Sequence, residues 1–347
     1  MAKRVALVLG SGGARGYAHI GVIEELERRG YQIDCIAGCS MGSVIGGVYA
    51  AGKLAEYRDW VSGLDYLDVI KLLDVGFGNL GAIRGEKVFG HIREMVGDTR
   101  IEELPIAFTA VATDLTSQQE IWFQQGCLHQ AMRASAAIPS LFAPVRQGNR
   151  VLVDGGLLNP LPIVPVVSAH CDMIIAVNLN SMHTNGYTLP EVERPPSIRQ
   201  QWDQWLDNLN LSGWLSRRRS PGDEQALLLE NLDNTEPNDL PDLPPENDPV
   251  MDDRLNTLPA SMLELINLSF ETMQASLTQY KIAGYPPDLV IDVPKRLCRF
   301  FEFYRAPELI ELGRIVASDA LDQYEARQAQ AGGLIHGPDQ DVRSKHV

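Results

Sequence analysis

Ile33-Asp34-Cys35-Ile36-Ala37-Gly38-Cys39-Ser40-Met41-Gly42 is the stretch on which the reading of this chain turns. Ile33 to Ala37 reads as a short strand buried on both faces. A helix of small residues follows to about Ala51, with Gly52 as its stop. Between the two, Gly38-x-Ser40-x-Gly42 has the spacing of a nucleophile elbow. Such a turn holds its serine in a strained conformation, and side chains two residues away on either side would collide, so glycine is needed there. The hydroxyl then stands above the sheet edge, with a helix N-terminus aimed at developing negative charge. The plainer reading is a glycine-rich turn whose serine caps the helix.

Working outward, Val5 to Leu9 is a second continuous apolar run, followed by Gly10-Ser11-Gly12-Gly13-Ala14-Arg15-Gly16 and a helical stretch to Arg29, with Gly30 as stop. Strand, glycine loop, helix, strand, sharp turn, helix is the alternation of a parallel α/β sheet. Further strands are expected at Ile106–Thr113, Arg150–Asp154, Met173–Leu179 and Asp288–Val293. The stretch from about Ser181 to Pro259 breaks this rhythm. A helix of roughly Ala260 to Ile282 resumes it, and a last one covers about Pro307 to Arg327. One domain over 1–327 is expected, with an insertion at about 181–259 and a polar tail at 328–347.

The glycine loop lacks the acid at the end of the second strand, and has Arg15 where the G-x-G-x-x-G of a dinucleotide fingerprint needs its third glycine; the Gly-Lys-Ser/Thr of a phosphate-binding loop is also absent. What remains is a tight turn or an oxyanion hole, with the amides of Gly12 and Gly13 turned toward an acyl oxygen. Arg15 would hold the loop or meet an anionic head group. A serine nucleophile needs a base. No histidine stands at an obvious strand end; Asp154-Gly155-Gly156 does, after the apolar Val151-Leu152-Val153. In a parallel sheet Asp154 would emerge at the same carboxyl edge as Ser40. An ordinary aspartate is a poor base near neutrality, but burial without a close cation raises its pKa. The bland alternative makes Asp154 a turn former.

Composition narrows the rest. The 347 residues are 45% hydrophobic and 22% charged, enough to bury a sizeable core, and no apolar run reaches the roughly 18–20 residues of a membrane span. The net charge of −15 disfavours nucleic acid as a partner. Eleven of the 45 acids fall between Ser220 and Asp253, where there is no Lys or Arg, so the remaining 34 nearly balance the 30 bases. That acidic stretch also carries Pro237, Pro241, Pro244, Pro245 and Pro249, and it reads as a surface insertion. Five scattered cysteines show no metal-ligand spacing and suit a reducing compartment. Five apolar residues after Lys3-Arg4 are too few for a signal peptide, so a cytoplasmic location is expected.

Taken together, Gly10–Gly16, Gly38–Gly42 and Asp154–Gly156 resemble, in this order, the motifs of the patatin-like phospholipase family. Ala134-Ser135-Ala136-Ala137-Ile138-Pro139, Asn159-Pro160 and Ala112-Thr113-Asp114-Leu115 are similar to the bacterial branch related to neuropathy target esterase. The resemblance covers roughly 3–180 and 260–325. It implies a three-layer sandwich of modified α/β-hydrolase type, with a mostly parallel central sheet between helices. It also implies a serine lipid hydrolase working through a Ser40–Asp154 dyad and an acyl-enzyme, on phospholipid or lysophospholipid. Gly12, Gly13 and the Met41 amide would form the oxyanion hole, with Gly10, Arg15, Gly16, Gly38, Gly42, Gly155 and Gly156 supporting the motifs. No cofactor or metal is called for. Two rivals stand: a His-assisted esterase or acyltransferase, with His91 or His129 against Ser40, and a regulatory or binding protein with a dormant dyad.

An acyl chain needs an apolar slot, for which Met132, Ile138, Pro139, Leu141, Phe142 and Pro144 are candidates; ordinary core packing is the alternative. Trp202, Trp205, Leu206 and Leu209 share one helical face, and Trp214 precedes Arg217-Arg218-Arg219. Tryptophans on an apolar stripe beside arginines suit peripheral membrane contact, although most such helices pack on their own domain or a partner subunit. A homo-oligomer is left open.

Overall fold

The computed structural model describes residues 3–73, 85–139, 141–183, 186–192 and 262–335. The acidic stretch, the Trp202–Trp214 segment and the end of the chain from 336 lie outside these residues.

The described strands are β1 (Arg4–Leu9), β2 (Gln32–Cys39), β3 (Ala107–Asp114), β4 (Gln119–Phe123), β5 (Val145–Gln147), β6 (Arg150–Asp154), β7 (Met173–Ser181) and β8 (Leu289–Pro294). They form one sheet in the order β5-β6-β3-β2-β1-β7-β8, with β4 also paired to β3. β1, β2, β3, β7 and β8 run parallel. Val5 to Leu9 are wholly buried, which requires cover on both faces of the sheet. On one face Ala6, Val8, Ala37 and Ala176 pack against Leu161, Ile163 and Val166. On the other, α2 (Met41–Ala50) lies so close that a Cβ on Gly46 would touch Leu9, Ile36 and Phe108.

The remaining helices are α1 (Ala18–Arg28), α3 (Leu54–Ser62), α4 (Tyr66–Leu73), α5 (Glu86–Val96), α6 (Leu128–Ser135), α7 (Met262–Gly284) and α8 (Ala306–Ile335). α1 and α8 meet at two glycines. A Cβ on Gly21 would fall 1.9 Å from the Ile310 carbonyl oxygen, and one on Gly313 would fall 2.1 Å from that of Ala18. The architecture is the mostly parallel α/β sandwich expected from the sequence.

Two expectations need correction. The last helix runs past Arg327 to Ile335, because Gln328-Ala329-Gln330-Ala331 are good helix formers and carry no stop signal. More consequentially, β6 is antiparallel to β3, pairing Ala112 with Asp154 and Asp114 with Leu152. A strand has two edges. β4 covers one edge of β3 over Ala110–Asp114, so β2, which pairs as far as Val111, and β6, which starts at Ala112, must share the other. β2 and β6 therefore meet end to end along β3. Asp154 reaches the end of β2 by running toward it from the opposite direction.

Candidate active site

The elbow has the strain its sequence implies. Ser40 holds φ 55° and ψ −127°, a left-handed value that costs a non-glycine residue about 1–3 kcal/mol. The glycines on either side are forced by crowding: a Cβ on Gly38 would sit 2.4 Å from the Gly42 carbonyl oxygen, and one on Gly42 would sit 2.1 Å from that of Leu9. Neither backbone can move without displacing a central strand. Gly42→Ala is accordingly expected to destabilise the fold by about 3 kcal/mol or more, measurable as a lowered denaturant midpoint; an unchanged midpoint would mean that the elbow is not packed this tightly.

Ser40 is not a helix cap. Its side chain makes no capping hydrogen bond; the hydroxyl donates instead to Asp154 Oδ2. The Ser40 amide donates to Ser135 Oγ (3.0 Å), and that hydroxyl donates to the Val111 carbonyl (2.6 Å). Ser135, from the Ala134–Pro139 segment, thus ties the elbow to β3.

Asp154 is held from both sides. Its amide donates to the Ala137 carbonyl (2.9 Å), and its Oδ1 accepts from the Gly156 amide (2.7 Å). Gly155 lies against the Val111 carbonyl oxygen. Ser40 and Asp154 are both fully buried. Burial pushes the Asp154 carboxyl up to about 7, against the opposing pull of the hydrogen bonds from Ser40 and Gly156. A carboxyl near neutrality can exchange a proton with a serine hydroxyl at physiological pH.

The glycine loop has its own anchors. The amides of Gly10, Ser11 and Ala14 donate to the carbonyls of Val177 (3.1 Å), Pro160 (2.8 Å) and Phe300 (2.9 Å). Asn180 Nδ2 donates to the Ser11 carbonyl (3.1 Å), and Arg15 Nε to that of Gly12 (3.1 Å). Gly13 takes φ +57°, which suits glycine alone. Among the described residues, the amides of Gly12, Gly13 and Met41 have no acceptor. A Cβ on Gly16 would sit 2.3 Å from Met41 Cβ, so the loop packs directly on the elbow. Arg15 is 1% exposed and bonded to Glu271 Oε1 (2.6 Å), which leaves it facing the loop rather than a head group. Gln274 Nε2 donates to Ser11 Oγ (3.0 Å).

Ser40 also stands in the wall of an apolar cavity lined by Tyr17, Met41, Val44, Tyr57, Trp60, Val69, Phe89, Ile92, Ile138, Phe142 and Phe303. Of the slot residues named from sequence, Ile138 and Phe142 line it. Met132 is instead packed against Gly47 in the core, Leu141 is buried, and neither they nor Pro139 and Pro144 reach the cavity wall. The sequence reading missed the contribution of α3, α4 and α5, whose amphipathic pattern looks like ordinary helix packing. It also missed Ser135's bond to the elbow, and Asn180, Glu271 and Gln274, each distant in the chain from the motif it supports.

The histidines take other roles. His19 is buried, shares a hydrogen bond with the Gly10 carbonyl (2.8 Å), and is driven down to about 4 by desolvation. His91 stacks on Trp60 at 4.4 Å and lies 3.4 Å from Glu94, and His129 is lowered by burial and by Arg93 and Arg133. None of them hydrogen-bonds Ser40. Among the described residues no helix is long and apolar enough to cross a membrane, and no three His, Cys, Asp or Glu side chains are grouped as metal ligands.

A family model described as patatin-like phospholipase matches residues 7–167. An uncharacterized NTE family protein of Mycobacterium tuberculosis (strain ATCC 25618 / H37Rv) is 39% identical over 336 residues, spanning 93% of this chain and 92% of that protein. Lysophospholipase NTE1 of Saccharomyces cerevisiae is 31% identical over 187 residues, which are 52% of this chain and 11% of the yeast protein. Among solved structures, VipD from Legionella pneumophila aligns with a TM-score of 0.48 at 14% identity, over 93% of this chain and 67% of that one.

Proposed function

Since the chain belongs to the patatin-like phospholipase family, and within it to the NTE proteins, we propose that it is a serine lipid acyl hydrolase that cleaves carboxylic esters of phospholipids or lysophospholipids. The observation that carries this reading is the Ser40 hydroxyl, hydrogen-bonded to a buried Asp154 and set in the wall of an apolar cavity. A hydroxyl paired with a near-neutral carboxylate is a nucleophile with its base attached. An apolar recess beside it seats a hydrocarbon chain.

Ser40 Oγ attacks the ester carbonyl while Asp154 takes its proton. The negative charge that develops on the carbonyl oxygen is received by the Gly12, Gly13 and Met41 amides, at the N-terminus of α2. Collapse of the tetrahedral species expels the alcohol, protonated by Asp154, and leaves the acyl group on Ser40. Asp154 then draws a proton from water, which attacks the acyl carbonyl and frees the acid. The test is a defined panel of phospholipids and lysophospholipids incubated with the purified protein, with mass spectrometry of the trapped intermediate. An acyl group on Ser40 is the expected result; an acyl group elsewhere, or no turnover of any ester, sinks the proposal.

The cavity makes a second expectation. Val44 is buried on α2 and lines it. Val44→Phe should remove room for about four methylenes, each worth about 0.8 kcal/mol, and so lower the preference for long over short acyl esters by about 200-fold. Equal kcat/KM losses for butyryl and palmitoyl esters would place the chain elsewhere.

A further inference from the structure

The two amides offered by the glycine loop owe their direction to side chains far from it in sequence. In a trans peptide the N–H points opposite the C=O of the same unit. Asn180 holds the Ser11 carbonyl, so the Gly12 N–H is turned away from Asn180; Arg15 holds the Gly12 carbonyl, so the Gly13 N–H is turned away from Arg15. Arg15 can do this only while its own buried charge is paired. Its partner is Glu271, 256 residues further along the chain, which bonds Arg15 Nη2 through Oε1 (2.6 Å) and Lys295 Nζ through Oε2 (3.1 Å). The Lys295 carbonyl takes a further guanidinium hydrogen (3.3 Å).

One turn further along α7, on the same face, Gln274 is fully buried and donates to the Ser11 hydroxyl. It also reaches the dyad. A Cβ on Gly156 would lie 2.2 Å from Gln274 Nε2, 2.9 Å from Ser11 Oγ and 3.0 Å from Asp154 Oδ1. The side chain of Gln274 therefore bridges the glycine loop and the Asp154 turn, while Glu271 fixes the arginine that orients the loop's second peptide.

We propose that Glu271 and Gln274 are positioning residues of the oxyanion hole, acting through Arg15 and Ser11 to aim the Gly12 and Gly13 amides. The inference rests on the hydrolase reading above. Neither side chain is asked to touch substrate.

The experiment compares the wild type with Glu271→Ala, Glu271→Gln and Gln274→Leu in the full chain, using a short soluble ester and a long-chain trifluoromethyl ketone. Ser40 Oγ adds to the ketone carbon, its proton passes to Asp154, and the resulting oxyanion loads the amides as the reaction does. Glu271→Ala and Gln274→Leu should lower kcat about 10- to 100-fold, less than the roughly 10²–10³ lost when an oxyanion donor is itself removed, with KM within twofold. Ketone affinity should fall in parallel with kcat/KM. Glu271→Gln keeps an acceptor for Arg15 and should restore most of both. If these residues serve only the fold, active-site titration will show fewer competent molecules, each with wild-type ketone affinity, and that result overturns the proposal. Should Glu271→Ala fail to fold, wild-type kcat together with wild-type ketone affinity in the folded Gln274→Leu protein overturns it as well. A wild type inert toward both ester and ketone would be a different result, removing the hydrolase reading and this one with it.

Discussion

Ser40→Ala should lose all labelling by a fluorophosphonate and retain no more than about 10⁻⁵ of the wild-type rate of ester hydrolysis. The size of the effect follows from the chemistry. A serine nucleophile and its base act as a unit, and loss of the nucleophile alone typically removes about 10⁶ in kcat, leaving what binding and the oxyanion donors supply. The fold should survive. Alanine replaces a residue whose hydroxyl makes one hydrogen bond, to Asp154, and the strained backbone at this position is no worse for alanine than for serine. Matching melting temperatures would show this. Undiminished hydrolysis in the folded variant would mean that another group attacks the ester. An unlabelled but folded wild type would favour a protein that has kept the fold and lets the dyad lie dormant.

Asp154→Asn should lower kcat by about 10⁴, the scale seen when a carboxylate serving a serine nucleophile loses its charge, and should erase the acid limb of the pH–rate profile. In the wild type that limb is expected near pH 7, where the buried carboxyl titrates, with activity falling tenfold per unit below it. The same shift has a sign for stability. The folded state raises this pKa, so it binds the proton more tightly than the unfolded chain, whose carboxyl titrates near 3.9. The resulting stabilisation is complete below about pH 4 and is lost as the pH rises through about 7; the loss is on the order of 4 kcal/mol. Above pH 7 the asparagine variant should therefore unfold at a higher temperature than the wild type, although it is nearly inactive. His19 acts in the other direction. Its pKa is depressed to about 4, so its contribution is present above about 6.5 and lost as the pH falls toward 4. The two partly cancel in the wild type, and the difference between wild type and Asp154→Asn isolates the carboxyl. A variant less stable at pH 8 would show that the charge is not buried as described.

Glycine motifs were legible in the sequence because crowding leaves no substitute: whatever surrounds them, Gly38 and Gly42 face backbone atoms at less than 2.5 Å from any added Cβ. Ser40 and Asp154 could be named for the same reason, as each is bound into such a turn. The direction of β6 could not be read. Arg150–Asp154 is a short run whose apolar residues look alike in parallel and antiparallel pairing, and the hairpin partner Val145–Gln147 is brief and mostly exposed. The cavity was half legible for a related reason. Tyr57, Trp60 and Phe89 occupy faces that would read the same if they packed on a core, and Met132, an apolar residue that suits a slot equally well, faces α2 instead. Glu271 and Gln274 carry no local signal at all. Their meaning is set by Arg15 and Ser11, which only the folded chain brings to them.

The end-to-end meeting of β2 and β6 on one edge of β3 makes that strand a ruler for the chemistry. Successive residues along it are about 3.3 Å apart and face alternately up and down. A slip of β6 by a single position would carry the Asp154 carboxylate out of the serine's reach and point it through the wrong side of the sheet. The turns on either side of β4, which carry neither Ser135 nor Ala137, can thus lengthen or shorten over evolutionary time with little consequence, whereas one residue gained or lost within Arg150–Asp154 should abolish the proposed hydrolysis while leaving the molecule's outline intact.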